Sequence, residues 1–456
     1  MKLSIDEIIN ATHGECINDV RIKKGISEIT TDSRSKVIDG LFIPLKGEKF
    51  DAHNFITNVF DKGVIATLTS ESVVRDNRLC TIKVEDTSKA ILDIARYYRN
   101  KFILPVVGIT GSVGKTSTKE MVSAVLSGKF NVHKTEGNFN NEIGLPLTLF
   151  KLEDSHQAAV IEMGMNHFEE IHRLSLTASP KISVITNIGT SHIENLGSRE
   201  GILKAKLEIL DGMQTDGTLI INGDNDLLSR ELNLDVKKVT YGLSKTNQYY
   251  AENIEYIGDV TTAVVTSPKN KYNIQINSLG EHMVYNTLAA IAVAEELGLS
   301  KEEILLGIKN YKPVKMRMHI EKYDNGITVI DDTYNASPDS MEAALKVLKD
   351  YDCKGNKVAV LGDMLEMGEF GPSLHEQVGK YAANIEIDKL YAVGDIAKHI
   401  YKGAKNENRI NAAYYTTKEM FVNEIEECLK PGDVVLFKAS RGMHFEEMLA
   451  AVGKVK

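Results

Sequence analysis

The sequence lacks the segments that would place a protein in a membrane or outside the cell. No apolar run approaches the length needed to span a bilayer, and the acidic first turns, Met1 to Glu7, contain no signal-peptide core. The four cysteines form no CxxC pair, which favours inert thiols in a reducing cytosol over a disulfide framework or a zinc site. They are Cys16, Cys80, Cys353 and Cys428. These absences predict a cytoplasmic protein.

A basic excess is missing as well. The 63 acidic residues outnumber the 54 basic ones and give a net charge of -9, which argues against a nucleic-acid partner. We find no low-complexity segment and no internal repeat. A hydrophobic content of 43% is typical of globular proteins, and 456 residues are too many for one ordinary core. We expect two to four domains and no membrane insertion.

The most informative stretch runs from Val106 to Ser117. A short apolar run predicts a buried strand, a glycine-containing turn follows, and Lys119 to Leu126 has a helical pattern. Successive backbone N–H groups in such a turn, with the positive end of the next helix, bind phosphate oxygens. Five residues separate Gly108 from Gly114, where the usual phosphate loop has four. The Gly-Lys-Thr end still predicts a nucleoside triphosphate site, formed by Gly111, Ser112, Val113, Gly114, Lys115, Thr116 and Ser117.

Apolar strands alternate with helical patterns through the central part of the chain, which predicts a parallel sheet covered on both faces. The predicted strands are 106–109, 158–162, 182–186 and 217–221. Ligands of such sheets bind at the carboxyl ends of the strands. Glu162 and His192 follow two of these ends, so both are candidate Mg²⁺ ligands beside the triphosphate. His192 alone is equally consistent with a structural loop histidine.

Two later segments carry polar candidates on predicted helices. Lys204 and Lys206 are two residues apart, so on a helix at most one of them can face a metal site. Two solvated lysines would fit that pattern equally well. Asn286 lies near the start of a helix rich in small apolar residues, where its amide would either cap the backbone or contact a base.

The regions on either side of the central one have their own patterns. Polar residues at turns before residue 100 include Asp32, Ser33 and Arg34, which could bind a ligand or form only a turn and its charge pair. A second alternation begins near residue 314, with predicted strands at 327–331, 357–361, 389–393 and 433–437. For Asp363 and Asp395, which follow two of these strands, a helix-cap or turn role is the simpler interpretation.

In combination these motifs resemble the Mur ligases, ATP-dependent enzymes of bacterial cell-wall synthesis that form amide bonds. The resemblance covers essentially the whole chain. It rests on the loop at 110–116, Glu162, His192, Lys204-Ala205-Lys206, His282 with Asn286, Arg317, and Asp331-Asp332-Thr333-Tyr334-Asn335. Three further stretches, 136–146, 332–338 and 361–368, are similar to the member of the family that adds a dipeptide.

The resemblance implies an α/β fold with three domains. Residues 1–102 would form a small α/β domain that binds the UDP end of the substrate, and 103–313 a P-loop-type parallel-sheet ATPase domain. Residues 314–456 would form a Rossmann-like domain that binds the dipeptide and closes on ATP. The implied reaction joins D-alanyl-D-alanine to UDP-N-acetylmuramoyl-tripeptide through an acyl phosphate, with either lysine or diaminopimelate as third residue of the peptide.

Site residues follow from the resemblance position by position. Lys115, Glu162, His192 and Lys206 would be catalytic, and Thr116, Glu162, His192 and Lys206 would hold two Mg²⁺ ions. The family carries a lysine carbamate, which matches Lys206, fourteen residues after His192, with Lys204 as runner-up. The ATP contacts would further include Asn286, Arg317, Asp332 and Asn335. The substrate contacts would be Thr31, Asp32, Ser33, Arg34, Lys46, Gly47, Asn138, Asn140, Asn141, Lys438, Ser440 and Arg441.

Other functions compete with this interpretation. Within the enzyme class, the alternatives are a sibling ligase that adds one amino acid and a folylpolyglutamate synthetase, which typically lacks the N-terminal domain. A regulatory P-loop NTPase is a different class, but the sequence has no Asn-Lys-x-Asp stretch to read guanine. A protein that only senses nucleotide-linked precursors would keep Lys115 without needing Glu162, His192 and Lys206 together.

Overall fold

The computed structural model describes residues 2–18, 20, 22, 24–47, 49–230 and 234–455. These residues form two compact units. The first comprises the chain up to Thr110 together with Phe130–Val184 and Ala205–Leu219. The second comprises Gly111–Lys129, Ile185–Lys204 and the chain from Ile220 onward. Among the helices described, none has the length and apolar character needed to cross a bilayer.

The N-terminal region forms a five-stranded sheet with two helices. Its elements are α1 (Ile5–Thr12), β1 (Glu15–Cys16), β2 (Glu28–Thr30), β3 (Gly40–Phe42), β4 (Val64–Thr69), β5 (Cys80–Lys83) and α2 (Thr87–Arg99). The strand order is β1-β5-β4-β3-β2, with β1 antiparallel to β5 and the other pairs parallel. Cys16 and Cys80 are far apart in sequence, but this pairing brings their sulfur atoms to 3.7 Å, with both thiols free.

The central region supplies nine strands and seven helices of the part described. They are β6 (Val106–Thr110), α3 (Lys115–Leu126), β7 (Val132–Lys134), α4 (Gly144–Leu149), β8 (Ala158–Glu162), α5 (Glu170–Ala178), β9 (Ile182–Ile185), α6 (Ile193–Leu196), α7 (Arg199–Leu207), β10 (Thr218–Asn222), β11 (Lys237–Gly242), β12 (Tyr249–Ile257), β13 (Val260–Thr266), β14 (Lys271–Ile276), α8 (Glu281–Glu296) and α9 (Lys301–Lys309). The sheet order is β14-β13-β12-β11-β10-β9-β6-β8-β7. All four strands predicted here are confirmed to within one residue at each end.

The prediction of a parallel central sheet is only partly correct. Strands β6, β7 and β8 are parallel, with Ile109 opposite Glu162. Strands β12, β13 and β14 instead form an antiparallel meander. In β13 and β14 every second residue is buried, because one face of this ribbon is covered and the other is open to solvent. The continuous apolar runs of a doubly covered parallel sheet are absent from these strands.

The C-terminal region forms a six-stranded sheet. Its elements are β15 (His319–Lys322), β16 (Thr328–Asp332), α10 (Pro338–Asp350), β17 (Lys357–Gly362), α11 (Gly371–Asn384), β18 (Lys389–Val393), α12 (Lys398–Glu407), β19 (Asn411–Tyr415), α13 (Lys418–Asn423), α14 (Ile425–Cys428), β20 (Val434–Lys438) and α15 (Glu446–Val452). The order is β15-β16-β20-β17-β18-β19, and only β15 is antiparallel to its neighbour. The predicted alternation and its four strands are confirmed.

Successive residues of the C-terminal strands enter two different cores. Ala359 and Leu361 belong to one buried cluster, whereas Val358 and Val360 belong to the other. Since neighbouring residues of a strand point to opposite faces, both faces of this sheet are covered. That arrangement confirms the Rossmann-like prediction and leaves the carboxyl ends of the strands for ligands.

Candidate active site

The loop after β6 has the geometry of a phosphate cradle. Strand β6 ends at Thr110, and helix α3 begins at Lys115. Between them Gly111 has φ 154°, and a Cβ atom on it would lie 1.9 Å from Oγ1 of Thr186. Only glycine can occupy that position without displacing its neighbour. The strand, turn and helix predicted around this loop are therefore confirmed.

Side chains that follow β9 hold the loop in shape. Asn187 accepts the N–H of Val113 at 2.9 Å, and the hydroxyl of Thr186 donates to the carbonyl of Val113 at 2.6 Å. The Ser112 hydroxyl accepts the N–H of Gly189 at 2.9 Å. The polar residues at the ends of β6 and β9 thus form one hydrogen-bonded layer.

The charged and hydroxyl groups of the loop lie beside residues from distant parts of the chain. The ammonium of Lys115 donates to the carbonyl of Gly111 at 2.7 Å. Arg317 approaches the hydroxyl of Thr116 at 3.4 Å, and its guanidinium stacks 3.9 Å from the ring centre of Tyr334. An arginine and a lysine next to a glycine loop can balance several phosphate charges.

Asn286 touches the same helix, although not as a backbone cap. Its side-chain oxygen accepts the hydroxyl of Thr118 at 2.8 Å, and its nitrogen lies 3.4 Å from the sulfur of Met283. Asn286 is buried, so this bond fixes helix α8 against helix α3 beneath the loop.

Glu162 and Lys206 both belong to the first compact unit. Glu162 ends β8 and is 2% exposed, and its carboxylate accepts the amide N–H of Asn140 at 2.7 Å. Lys206 is 1% exposed, whereas Lys204 is exposed on the same helix, α7. The structure therefore separates the two lysines as helical spacing predicted, and it buries the one that matches the carbamate position.

His192 lies in the second unit, next to a carboxylate that the sequence did not single out. Its Nδ1 is 3.0 Å from Oε2 of Glu366, and this contact with His192 holds the pKa of Glu366 below its ordinary value, against the effect of burial. A second acid, Asp339, accepts the N–H of Thr190 at 3.2 Å. Both acids come from the C-terminal region.

The C-terminal candidates form a buried ion pair. The ammonium of Lys438 donates to Asp332 at 2.5 Å and to the carbonyl of Asn335 at 2.9 Å. Burial lowers the pKa of Lys438, with the carboxylate of Asp332 acting in the opposite direction. Ser440 accepts the N–H of Leu365 at 2.9 Å. The prediction that Lys438 binds the dipeptide carboxylate stays a prediction, since its ammonium is bonded to Asp332 here.

Two other C-terminal candidates differ in exposure. Arg441 is exposed and pairs with Glu446 at 2.5 Å. Asp363 is buried, and it accepts the N–H groups of Ile396 and Ala397 at 3.0 and 2.7 Å. Asp363 therefore has a structural role, but it caps the turn after β18 and not, as the sequence predicted, the turn that follows its own strand. Burial raises its pKa.

The N-terminal candidates are arranged on two turns. Arg34 forms a bidentate ion pair with Asp32, with both N–O distances 2.9 Å. This pair lowers the pKa of Asp32 to about 2. The second turn is closed by a 2.8 Å bond from the N–H of Gly47 to Phe50, with Lys46 exposed beside it. The charge pair predicted as one alternative is therefore present, and the Thr31 and Ser33 assignments stay predictions.

The three asparagines of the segment before α4 have different environments. Asn138 is exposed. Asn141 accepts the N–H of Gly144 at 2.8 Å and so caps the start of α4. Asn140 donates to Glu162. Asn138 and Asn141 are exposed, and the assignment of the three asparagines to the substrate stays a prediction.

The donors at the predicted metal positions suit magnesium. Mg²⁺ keeps several waters and is bound through one or two carboxylates and the substrate's own phosphates. Within the described residues, no three His, Cys, Asp or Glu side chains are grouped as a protein-only cage. A buried carboxylate at a strand end and a hydroxyl on the phosphate loop are hard oxygen donors of the kind required. Glu162 and Thr116, each considered by itself, are thus donors of the kind that Mg²⁺ takes, and their assignment to one ion stays a prediction.

Sequence reasoning missed the residues that support others. Thr186 bonds to the phosphate loop, and Thr118 bonds to Asn286. Asp339 accepts the N–H of Thr190, and Glu366 contacts His192. Glu366 was visible in the sequence, because it lies within the 361–368 stretch that carried the resemblance. The left-handed backbone at Glu366, φ 63°, could not be foreseen.

Comparison with known proteins identifies the group to which the chain is related. The profile of the Mur ligase middle domain matches residues 109–294, and that of the Mur ligase glutamate ligase domain matches residues 316–441. The UDP-N-acetylmuramoyl-tripeptide–D-alanyl-D-alanine ligase of Bacillus subtilis is 40% identical over 451 residues, which is 98% of each chain.

Solved structures agree with this relationship. A crystal structure of MurF from Acinetobacter baumannii is 32% identical and superimposes with a TM-score of 0.93 over 100% of this chain and 99% of that one. The MurF ligase of Thermotoga maritima in complex with ADP is 28% identical, with a TM-score of 0.85 over 94% and 97% of the two chains. With a relative this similar along nearly its whole length, the chain belongs to the Mur ligase family.

Proposed function

We propose that this protein joins D-alanyl-D-alanine to UDP-N-acetylmuramoyl-tripeptide with consumption of ATP, in the synthesis of the peptidoglycan precursor. The observation that carries the proposal is the match of 98% of the chain to a relative named for that activity, together with an intact phosphate loop. The products are the UDP-linked pentapeptide, ADP and phosphate.

The chemistry requires activation of an acid. A carboxylate and an amine do not condense in water, because hydroxide is a poor leaving group. The tripeptide carboxylate therefore attacks the γ-phosphorus of ATP, ADP leaves, and an acyl phosphate forms. The amine of D-alanyl-D-alanine then attacks the acyl carbon, loses a proton, and expels phosphate. Positioning and charge neutralisation are the main tasks of the protein in such transfers.

The loop residues perform the charge neutralisation. Lys115 and the backbone N–H groups from Gly111 to Ser117 would bind the β- and γ-phosphates, with Arg317 beside Thr116. Asn286 would contact ATP from helix α8, and Asp332 and Asn335 would contact it from the acidic end of β16 and the residues that follow. Lys115 moves from a neutral carbonyl partner to an anionic one when phosphate binds, so its hydrogen bonding is maintained.

Magnesium would be held by Thr116, Glu162, His192 and Lys206. When bound, it supplies positive charge to the phosphate oxygens and orients the transferred group. The chain's own contribution is a carboxylate whose rotation is fixed by a hydrogen bond and a histidine held by Glu366.

Lys206, rather than Lys204, would carry the carbamate. Burial disfavours a charged ammonium, and Lys206 is buried whereas Lys204 is exposed. A carbamate would convert that cation into an anionic metal ligand. Lys206→Ala should lose activity and regain part of it when short carboxylates are added. Lys204→Ala is the matched control. Rescue of Lys204→Ala alone would transfer the modification to that residue.

The ends of the substrates belong to the outer regions of the chain. Thr31, Asp32, Ser33, Arg34, Lys46 and Gly47 would bind the UDP group, and Asn138 and Asn141 would lie along the muramoyl peptide. Ser440 and Arg441, with Lys438 behind them, would receive the dipeptide carboxylate. We expect a monomer that acts in the cytoplasm, where ATP is available.

Phosphate release tests the proposal directly. The assay contains ATP, Mg²⁺, UDP-N-acetylmuramoyl-tripeptide and D-alanyl-D-alanine, and each component is omitted in turn. The proposal requires release that needs both substrates, and a product heavier than the tripeptide precursor by the dipeptide less water.

Other results assign other functions. Release with a single amino acid but not with the dipeptide would identify a sibling ligase. Release that does not depend on either substrate would leave a simple NTPase. Precursors with lysine and with diaminopimelate at the third position, compared by kcat/KM, identify the preferred peptide.

A further inference from the structure

Glu162 is attached to the segment before α4 by more than its side chain. Its carboxylate accepts the amide N–H of Asn140 at 2.7 Å, and its backbone N–H donates to the hydroxyl of Thr135 at 3.0 Å. Two residues later, the N–H of Gly164 donates to the carbonyl of Asn140 at 2.8 Å. Asn140 therefore contacts both Glu162 and the turn that follows it.

The amide group of Asn140 has little freedom to leave this position. A Cβ atom on Gly164 would lie 3.0 Å from Cγ and Oδ1 of Asn140 and 3.1 Å from its Nδ2. The amide of Asn140 thus packs directly against Gly164, and it fits there because Gly164 has no side chain. Asn140 is half-buried as a result, whereas Asn138 on the same segment is exposed.

The chemistry of the contact also fixes its direction. A carboxylate can only accept hydrogen bonds, so the nitrogen of the amide must face Glu162. A hydrogen bond to one carboxylate oxygen fixes the rotation of the whole group, so it sets the direction of both oxygens. A fixed orientation is what a ligand of a small hard cation with strict geometry requires.

We infer that Asn140 is a positioning residue that orients Glu162 toward Mg²⁺, and is not a contact of the muramoyl peptide. The inference rests on the proposed function for the identity of the ion. It replaces the sequence prediction that placed Asn140 with the substrate contacts.

Metal affinity, measured without turnover, tests this role. Mn²⁺ replaces Mg²⁺, a non-hydrolysable ATP analogue replaces ATP, and free Mn²⁺ is followed by electron paramagnetic resonance. Asn140→Ala should weaken Mn²⁺ binding by about 10- to 100-fold, the usual effect of removing a group that orients a metal ligand. Asn140→Leu keeps the branched shape of the side chain but has no donor, so it should show the same loss if the alanine variant folds poorly.

Two further variants make the test specific. Asn138→Ala is the matched control for metal binding, because it removes an exposed amide from the same segment. Glu162→Gln completes a double-mutant cycle. If Asn140 acts through Glu162, then Asn140→Ala should cause little additional loss of Mn²⁺ affinity in the Glu162→Gln background.

A steady-state measurement separates the two roles of Asn140. The inference predicts a Mg²⁺ requirement that rises in Asn140→Ala, with the KM for the UDP-tripeptide unchanged at saturating Mg²⁺. Unchanged Mn²⁺ affinity with a raised KM for the peptide would overturn it. Independent losses in the double-mutant cycle would overturn it too. Because Mn²⁺ and the ATP analogue bind without peptide or dipeptide, the Mn²⁺ affinities and the double-mutant cycle do not depend on whether the chain is a dipeptide ligase, whereas the KM comparison does.

Discussion

Arg99 is a buried cation whose partners are all backbone carbonyls. It is 4% exposed at the end of α2. Its guanidinium donates to the carbonyls of Ala178 at 2.8 Å, Phe102 at 3.0 Å, Leu104 at 3.3 Å and Ser179 at 3.5 Å. Two of these carbonyls lie in the connection that leads from α2 to β6, and two lie at the end of α5. One side chain therefore fixes the connection to the central region.

Truncation at this position should be unusually destabilising. Each buried carbonyl left without a donor costs about 1–3 kcal/mol, and three of the four bonds are no longer than 3.3 Å. Relaxation and entry of water recover part of the loss, so we expect Arg99→Ala to lower the free energy of unfolding by about 3–5 kcal/mol. Arg99→Lys keeps the charge but presents a single ammonium, so it should give an intermediate loss.

Urea unfolding provides the assay, followed by far-ultraviolet circular dichroism because the chain has no tryptophan. Arg96→Ala is the matched control, since Arg96 is exposed on the same helix and its loss should cost less than about 0.5 kcal/mol. For a unit of this size the Arg99→Ala effect corresponds to a fall in melting temperature of roughly 6–20 °C. Equal stability of the Arg99→Ala and Arg96→Ala variants would refute the reasoning, because it would mean that water satisfies the carbonyls.

Three other perturbations address the loop and the C-terminal core. Lys115→Ala should reduce the rate of phosphate release by about 10²–10³-fold, roughly 3–4 kcal/mol by analogy with lost oxyanion donors, and near-normal turnover would remove Lys115 from the site. Gly111→Ala should abolish nucleotide binding measured by calorimetry, since its Cβ would lie 1.9 Å from Thr186; unchanged affinity would contradict the cradle geometry. His375 is fully buried and accepts the N–H of Met364 at 2.9 Å, and burial lowers its pKa from the ordinary 6.5. The unfolded chain then binds the proton more readily, so stability should fall as pH drops below about 6.5, by up to about 1.4 kcal/mol per pH unit. His375→Gln should flatten that dependence in urea midpoints taken at about pH 7.5 and about pH 5.5, and parallel profiles of the two proteins would show that another group is responsible.

The elements best predicted from sequence are those in which periodicity and burial agree. The eight strands predicted in the central and C-terminal regions are buried along nearly their whole length, so their apolar runs are nearly continuous and their ends are marked by polar residues. The phosphate loop was predicted for a different reason, because its glycines and lysine are required by local backbone geometry. Neither inference needed knowledge of distant contacts.

The meander of β12 to β14 shows where that reasoning ends. Its alternating burial carries a strand signal, but pairing direction depends on turn geometry and on neighbouring strands. The alternation of polar and apolar residues along a strand shows which face is buried, but it does not show which strand pairs with it or in which direction. The prediction of a parallel sheet for the central region was therefore wrong at β12 to β14.

The sequence predicted the charged residues of the candidate site, but not the residues that hydrogen-bond to them and hold them in place. The resemblance already favoured Lys206 over Lys204 by its distance from His192, but the burial of Lys206 and the exposure of Lys204 could not be predicted from the sequence. The resemblance placed Asn140 with the substrate contacts together with Asn138 and Asn141, and nothing in the sequence distinguishes the three amides. The contact with Glu162 depends on the approach of two chain segments, to which Gly164 contributes by having no side chain.

The bonds that Thr186 and Asn187 make to the phosphate loop affect the thermodynamics of ligand binding. They tie Val113 by both its N–H and its carbonyl, so the loop's conformation is specified by the protein's own contacts. The conformational entropy of those residues is thus lost when the chain folds, and a nucleotide does not have to order them on arrival. Weakening these two side chains should appear as a less favourable entropy of nucleotide binding, with the contacts to phosphate themselves unchanged.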